Sequence, residues 1–194
     1  MSTYPNVLAA LAVALFAAAA AAQPTGHPLV PGYPGSEVLK YETRAVDGYQ
    51  VLTHPLENPS SGSSRDAQTY TTISGAMTRT AYASPKGARM SDVYHYYESE
   101  LQREGFTILY NCAGQSCSPR SAGADFNALM TLDLRDQMLG RAKGQRYLAA
   151  ERLRPDSKIR VTVYLVRDEP QSSGDENRVL GNVVVVETPL IPVN

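Results

Sequence analysis

The sequence contains no tryptophan, and only three phenylalanines, three histidines and two cysteines occur among its 194 residues. No charge of one sign dominates either, since 18 Lys and Arg residues nearly balance 19 Asp and Glu residues. Without an excess of positive charge, the chain is not expected to bind nucleic acid by bulk attraction to phosphates. The length suits a single domain. The abundant aromatic residue is tyrosine, with 12 copies.

The chain begins with an apolar segment, and residues 7–22 form an unbroken run of 16 residues, ten of them alanine. A membrane-spanning helix needs about 20 apolar residues, so this run is short for a span. It ends in Ala20-Ala21-Ala22, the small-x-small pattern at which signal peptidases cut. We predict that residues 1–22 are a cleaved signal peptide and that the protein is periplasmic, with no integral span after cleavage. An uncleaved N-terminal anchor is the alternative.

The two cysteines, Cys112 and Cys117, are separated by four small or polar residues. In an oxidising compartment such a close pair usually forms a disulfide. A zinc site needs four ligands, and the histidines His27, His54 and His95 are scattered without ligand spacing. We therefore predict a structural disulfide and assign no metal, no cofactor and no catalytic residue. A redox-active or free thiol pair is the alternative.

The residues that follow the predicted signal peptide, up to residue 83, are predicted to form mainly strands. A Pro- and Gly-rich lead-in, residues 23–36, precedes a single domain that we place at residues 37–189. Residues 38–46 and 49–53 flank Asp47-Gly48, a dipeptide typical of a hairpin turn. Residues 69–83 predict one long bent strand, or two, with a bulge near Gly75.

The clearest helix spans residues 91–104. Ser91 is a suitable N-cap, Asp92 suits the positive first turn, and Gly105 is placed to end the helix. Its apolar stripe consists of Val93, Tyr94, Tyr97 and Leu101. A strand over residues 106–110 then leads into the cysteine loop, and a spacing of four between apolar residues predicts a second helix within residues 123–139.

Residues 147–153 and 159–167 predict a further hairpin around Pro155-Asp156-Ser157. Apolar residues alternate with polar ones along 159–165, which predicts one buried and one wet face. The run Val183 to Val186 suits a central strand buried on both faces. The pattern as a whole predicts an α+β fold, a largely antiparallel sheet built from hairpins with one or two helices packed on it.

Two residues are candidates for interaction with a partner. Arg79 lies within a strand of small polar residues, so it is either solvated or the partner of a buried carboxylate or ligand. Tyr96 lies off the apolar stripe of the first helix, so it either packs against a second layer or belongs to an exposed binding surface.

Several motifs together resemble a known family. They are Thr78-Arg79 followed by Tyr82, the helix with Tyr97-Glu98 and Leu101, Gly105-Phe106, Tyr110-x-Cys112 with Cys117, Tyr147-Leu148-Ala149-Ala150, and a Val-rich strand ending in Glu187. The chain resembles secreted Gram-negative envelope proteins that carry a domain of unknown function. In that family the domain stands alone or precedes a peptidoglycan-binding domain like that of outer membrane protein A. The likeness covers residues 29–189.

The sequence differs from the family at Tyr96, where Asn is usual, and at Ser118, where Gly is usual. The resemblance implies a periplasmic setting and an envelope role, and it implies no catalytic residue. We therefore expect a non-catalytic binding module whose partner is an envelope protein or a cell-wall component. A periplasmic hydrolase with a site assembled in space, and a carrier of a small ligand or metal, are the alternatives.

Overall fold

Strands make up most of the protein that the computed structural model describes, which is residues 26–56, 70–119, 126, 129–130, 144–167 and 177–190. The elements are β1 (Gly26–His27), β2 (Val30–Pro31), β3 (Glu37–Leu52), β4 (Tyr70–Ala83), α1 (Met90–Arg103), β5 (Thr107–Ala113), β6 (Arg146–Leu153), β7 (Ser157–Arg167) and β8 (Val179–Pro189). Strands β3 to β8 form one antiparallel sheet in the order β3-β4-β8-β7-β6-β5. The predicted α+β fold is confirmed.

The centre of the sheet follows the hydrophobic pattern. β6 and β7 form the predicted hairpin, and β8 lies between β4 and β7 with Val183 to Val186 buried on both faces. The prediction of a wet face on β7 is wrong, because Thr162 and Tyr164 are also buried. An alternating pattern predicts a solvated face when only one side of a sheet is covered, and here both sides are covered.

The predicted hairpin at Asp47-Gly48 is also wrong. β3 continues through this dipeptide as one strand, and its pairing with β4 shifts between Val46 and Tyr49. Gly48 has a φ of +85°, and its N–H donates to the Ser74 hydroxyl at 3.2 Å. Asp-Gly therefore supplies the positive φ of a β-bulge here rather than that of a turn. β4 is a single long strand, and the bulge lies opposite it.

One face of the sheet, which we call the helix face, packs against α1. The buried residues Val93, Tyr94, Tyr97 and Leu101 are those of the predicted stripe. The helix begins one residue earlier than predicted, with Arg89 at the N-cap position, so Ser91 lies inside the first turn and does not cap it. Gly105 ends the helix with a φ of +78°, as predicted. The short hairpin β1–β2 lies in the expected irregular lead-in and adds fully buried Val30 to this core.

The opposite face, the ribbon face, is covered in large part by the outer strands of the sheet itself. The Tyr147 hydroxyl on β6 donates to the carbonyl of Leu52 on β3 at 3.2 Å, although the two strands are four places apart in the sheet. In a flat sheet that separation would be about 19 Å. Residues 49–52 of β3 and 70–73 of β4, which we call the bent ribbon, must therefore fold back over the sheet beyond the bulge.

The bend depends on a close approach between β4 and β8. A Cβ atom on Gly75 would collide with the Glu187 carbonyl oxygen, so this position accepts no larger residue without movement. Beyond the bend, the chain reaches the far edge of the sheet, where the Leu56 N–H donates to the Cys117 carbonyl at 2.9 Å. The sheet thus encloses the ribbon-face core between its own two edges.

Two predicted segments lie outside the residues that the structure describes. The signal peptide, residues 1–22, and most of the second helix, residues 123–139, are not among the described residues. Within the second segment, Phe126 is described and fully buried, and its ring packs edge-on against Tyr147 at 5.2 Å between centroids. The described helix α1 is too short and too polar to cross a membrane.

Candidate functional site

A groove of about 260 Å³ opens where the bent ribbon leaves the sheet. One wall comes from residues 71–74 of β4, and the other comes from the adjacent ends of β7 and β8. The side chains of Lys158, Arg160, Thr188 and Leu190 belong to the second wall. The groove is a direct consequence of the bend, because a ribbon that turns away from a sheet leaves a wedge at its base.

The second wall has a net positive charge. Arg160 and Lys158 share one carboxylate, that of Glu151 on β6. The Arg160 Nε lies 2.6 Å from Glu151 Oε2, whereas the Lys158 Nζ is 3.9 Å from the same oxygen. The Arg160 side chain is 11% exposed, and its Nη1 is buried with no hydrogen-bond partner among the described residues. Among the described residues, two cations thus face one carboxylate, which leaves one net positive charge at this wall.

The first wall is lined with hydroxyl groups. Two of the hydroxyls at the groove stabilise the bend itself: Thr188 donates to the Ser74 carbonyl at 2.6 Å, and Ser74 donates to Asp47 at 2.8 Å. No hydrogen bond joins the hydroxyl of Thr71 or Thr72 to another described residue. The groove thus combines structural hydroxyls with two that can bond to a ligand.

Arg79 lies on the ribbon face but outside the groove. It is 7% exposed, and its Nη1 is 3.6 Å from Glu42 on the neighbouring strand. Of the two alternatives for Arg79, the structure shows the partner of a carboxylate, since Glu42 is itself part-buried. Whether Arg79 contacts a binding partner stays a prediction.

Tyr96 lies on the opposite side of the sheet from Arg79. Its hydroxyl donates to the Gly32 carbonyl at 3.1 Å, and its ring packs edge-on against Tyr33 and Tyr97. Burial raises the pKa of the Tyr96 phenol. The part-buried ring attaches the lead-in to α1, so the fold does not bring the two candidate interaction residues together.

The three histidines occupy separate places. His27 accepts a hydrogen bond from the Leu29 N–H through Nδ1, and burial lowers its pKa. His54 contacts the Thr53 hydroxyl, and exposed His95 pairs with Glu98 at 3.2 Å. Among the described residues, none of the three hydrogen-bonds to a serine hydroxyl, and no group of three potential metal ligands is present.

The cysteine pair is at disulfide distance, with 5.1 Å between the two Cα atoms. The loop that it closes is held to the sheet on both sides of Gly114, whose N–H donates to the Gln145 carbonyl and whose own carbonyl accepts from the Gln145 side chain. Because the Cys117 carbonyl also accepts a hydrogen bond from the Leu56 N–H, this loop, residues 112–117, which we call the anchor loop, holds the far end of the ribbon face.

Comparison with known proteins found neither a protein-family model nor a curated protein that matches the chain. The resemblance carried by the sequence motifs therefore remains a proposal. Sequence reasoning missed the residues of the groove, although one signal was present: Lys158 and Arg160 alternate with the buried residues of β7, which places both on the same face.

Proposed function

We propose that the protein is an exported, periplasmic binding module without catalytic activity, and that its partner is a component of the cell envelope. The observation that carries this proposal is the groove at the base of the bent ribbon. It joins cations, hydroxyl-bearing residues that have no side-chain partner among the described residues, and an apolar side chain, Leu190, in one concave surface. Such a combination is typical of a binding site, where a few polar groups orient a ligand.

The proposed location rests on two independent features. The apolar run that ends in Ala20-Ala21-Ala22 has the form of a cleavable leader. Cys112 and Cys117 are placed to bond, and disulfides persist in oxidising compartments such as the bacterial periplasm. Together they favour export over retention in the cytoplasm.

Membership of the envelope family is part of the same proposal. Several of its motif residues have a structural role here: Tyr97 is buried in the helix face, Gly105 ends α1, and the two cysteines close the anchor loop. A shared structure would account for the dispersed motifs. Arg79 and Tyr96 remain the candidate contact residues that the sequence suggested.

Site-specific photo-crosslinking in the periplasm of a Gram-negative host tests the proposal. A photoreactive side chain at Thr72, which is exposed at the groove, should form a crosslinked adduct with an envelope component. The same group at Gln102, which is exposed on α1 and outside the groove, is the control and should form none. Fractionation should recover the protein in the periplasm, cleaved after Ala22.

Three results would count against the proposal: equal crosslinking from both positions, no adduct from Thr72 under several growth conditions, or a full-length protein in the cytoplasmic fraction.

The two other hypotheses stay predictions. A periplasmic hydrolase requires that one of the three histidines lies in a pocket beside a serine or carboxylate, and a carrier requires a ligand or metal that remains bound through purification.

A further inference from the structure

The two walls of the groove differ in chemistry, and this difference limits what the groove can bind. The β7 wall carries two cations that share the single carboxylate of Glu151. The β4 wall includes Thr71 and Thr72, each of which carries a hydroxyl. A ligand that satisfies both walls needs a negative group at one end and hydrogen-bonding groups along its side.

Arg160 is held in a fixed position beside this wall. Its Nε is engaged by Glu151, and its side chain is mostly buried. A guanidinium presents five N–H donors in a rigid fork, and one arm is used while Nη1 lacks a partner among the described residues. Because Nη1 is buried, an acceptor in the groove meets only the small exposed part of the guanidinium, and Arg160 acts on it mainly through its fixed positive charge.

Lys158 complements this arrangement. Its side chain is 34% exposed, so the ammonium group reaches solvent, and its distance of 3.9 Å from Glu151 indicates a loose pair. A compact flexible ammonium adapts to the position of an incoming anion, and the fixed guanidinium beside it adds positive charge. The two cations together suit one carboxylate or one phosphate group.

The size of the groove limits the rest of the ligand. Its volume of about 260 Å³ lies just below the range of about 300–1,000 Å³ that drug-sized ligands occupy. One six-membered ring with its substituents fits such a space, and a longer ligand would extend into solvent past Leu190, which is 41% exposed.

We propose that the groove binds an acidic sugar, with a carboxylate or phosphate held by Lys158 and Arg160 and the ring hydroxyls bonded by Thr71 and Thr72. This proposal rests on the proposed function and specifies the ligand class for the same site. It concerns the groove alone and assigns no part to Arg79 or Tyr96.

Calorimetric titration of the protein, exported with its own leader and purified from the periplasm, tests the ligand class. The probes are glucuronate, glucose 6-phosphate and uncharged glucose. We expect the two anionic probes to bind and glucose to bind at least tenfold more weakly, because charge-assisted hydrogen bonds are the strong ones. The anionic probe that binds more tightly shows whether the acidic group of the ligand is a carboxylate or a phosphate.

Matched variants locate the site. Lys158→Gln should weaken binding of the anionic probe about tenfold, which corresponds to the loss of one charge-assisted contact. Lys86→Gln removes the same charge from an exposed turn outside the groove and should leave binding unchanged. Thr71→Val should weaken the binding of the anionic sugar but not that of inorganic phosphate, which lacks ring hydroxyls. Equal weakening by the two lysine variants, or glucose binding as tightly as glucuronate, would overturn the proposal.

The results also distinguish the acidic-sugar proposal from the proposal that the protein is a binding module. If no probe binds while the photoreactive group at Thr72 still captures an envelope component, the acidic-sugar assignment is wrong and the binding module stands. If no probe binds and the photoreactive group at Thr72 crosslinks no envelope component, both proposals fail.

Discussion

The two faces of the sheet are buried by different means. The helix face is closed by α1, a separate element of 14 residues whose apolar stripe meets the aliphatic side chains of β6 to β8. The ribbon face is closed partly by the sheet's own outer strands, which bend at Gly48 and Gly75 and return to the far edge, and partly by Phe126, Leu129 and Met130.

This difference has a chemical consequence. A helix presents a nearly continuous apolar surface, whereas a folded-back ribbon brings backbone carbonyls, hydroxyls and charged residues into the interior. Arg79, Thr162 and Asn182 are all buried on the ribbon face. The groove lies at this face for the same reason. A face that is covered by a bent part of the same sheet keeps a groove at the bend, and this groove holds polar groups that can contact a ligand.

The helix face should respond most to loss of apolar volume. Leu101→Ala is expected to lower the free energy of unfolding by about 2–4 kcal/mol, because Leu101 is fully buried and its removal leaves a cavity. Gln102→Ala, on the exposed side of α1, should change it by less than about 0.5 kcal/mol. Urea unfolding of both variants measures the difference, and equal losses would contradict the orientation of α1.

The ribbon face should respond most at its bend. Gly75→Ala is expected to cost about 2–3 kcal/mol, because the added Cβ collides with the Glu187 carbonyl and forces β4 away from β8. Gly87→Ala is the control: its φ is +79°, but nothing lies within 4 Å of the added atom, so only the backbone penalty of about 1 kcal/mol applies. Thermal unfolding compares them, and a Gly75→Ala protein as stable as the control would show that the close approach is not required.

The anchor loop should affect the ribbon face selectively. Replacing Cys112 and Cys117 together by serine is expected to cost about 2 kcal/mol, since the closed loop is short. Amide hydrogen exchange should show the largest loss of protection at Leu56, whose N–H donates to Cys117. Alkylation of the unreduced, periplasm-derived wild-type protein should find no free thiol. Two free thiols would refute the disulfide, and a uniform loss of protection over both faces would refute the anchor.

Two tyrosines on the ribbon face give the smallest effects, and only one of the two substitutions is expected to lower stability. Tyr147→Phe removes the hydroxyl that donates to Leu52 and should cost about 1 kcal/mol. Tyr110→Phe removes a buried hydroxyl that has no partner among the described residues, so it should leave stability unchanged or raise it by up to about 1 kcal/mol. Chemical denaturation of the pair is the measurement, and equal destabilisation would indicate that Tyr110 bonds elsewhere.

The elements of the helix face could be predicted because their signals are local. The spacing of Val93, Tyr97 and Leu101 marks the buried side of α1, and Gly105 marks its end. The run Val183 to Val186 identifies a central strand for the same reason, since each residue is buried by its immediate neighbours in the sheet.

The ribbon face could not be predicted because its signals are ambiguous. Asp47-Gly48 permits a positive φ in a hairpin turn or in a bulge, and only the pairing partner, Ser74, decides between them. The groove was missed for a related reason. Its walls come from segments more than 80 residues apart in the chain, and they meet only because the ribbon bends.

The central position of β8 determines when this sheet can be completed during folding. β8 joins β4 to β7, and its pairs with β4, such as Met77 with Val186, connect residues more than 100 positions apart. Until the last strand arrives, β3–β4 and β5–β7 are separate units with open edges. Contacts at such separation are slow to form, so the sheet cannot be completed until residues 179–189 are available to pair with both β4 and β7.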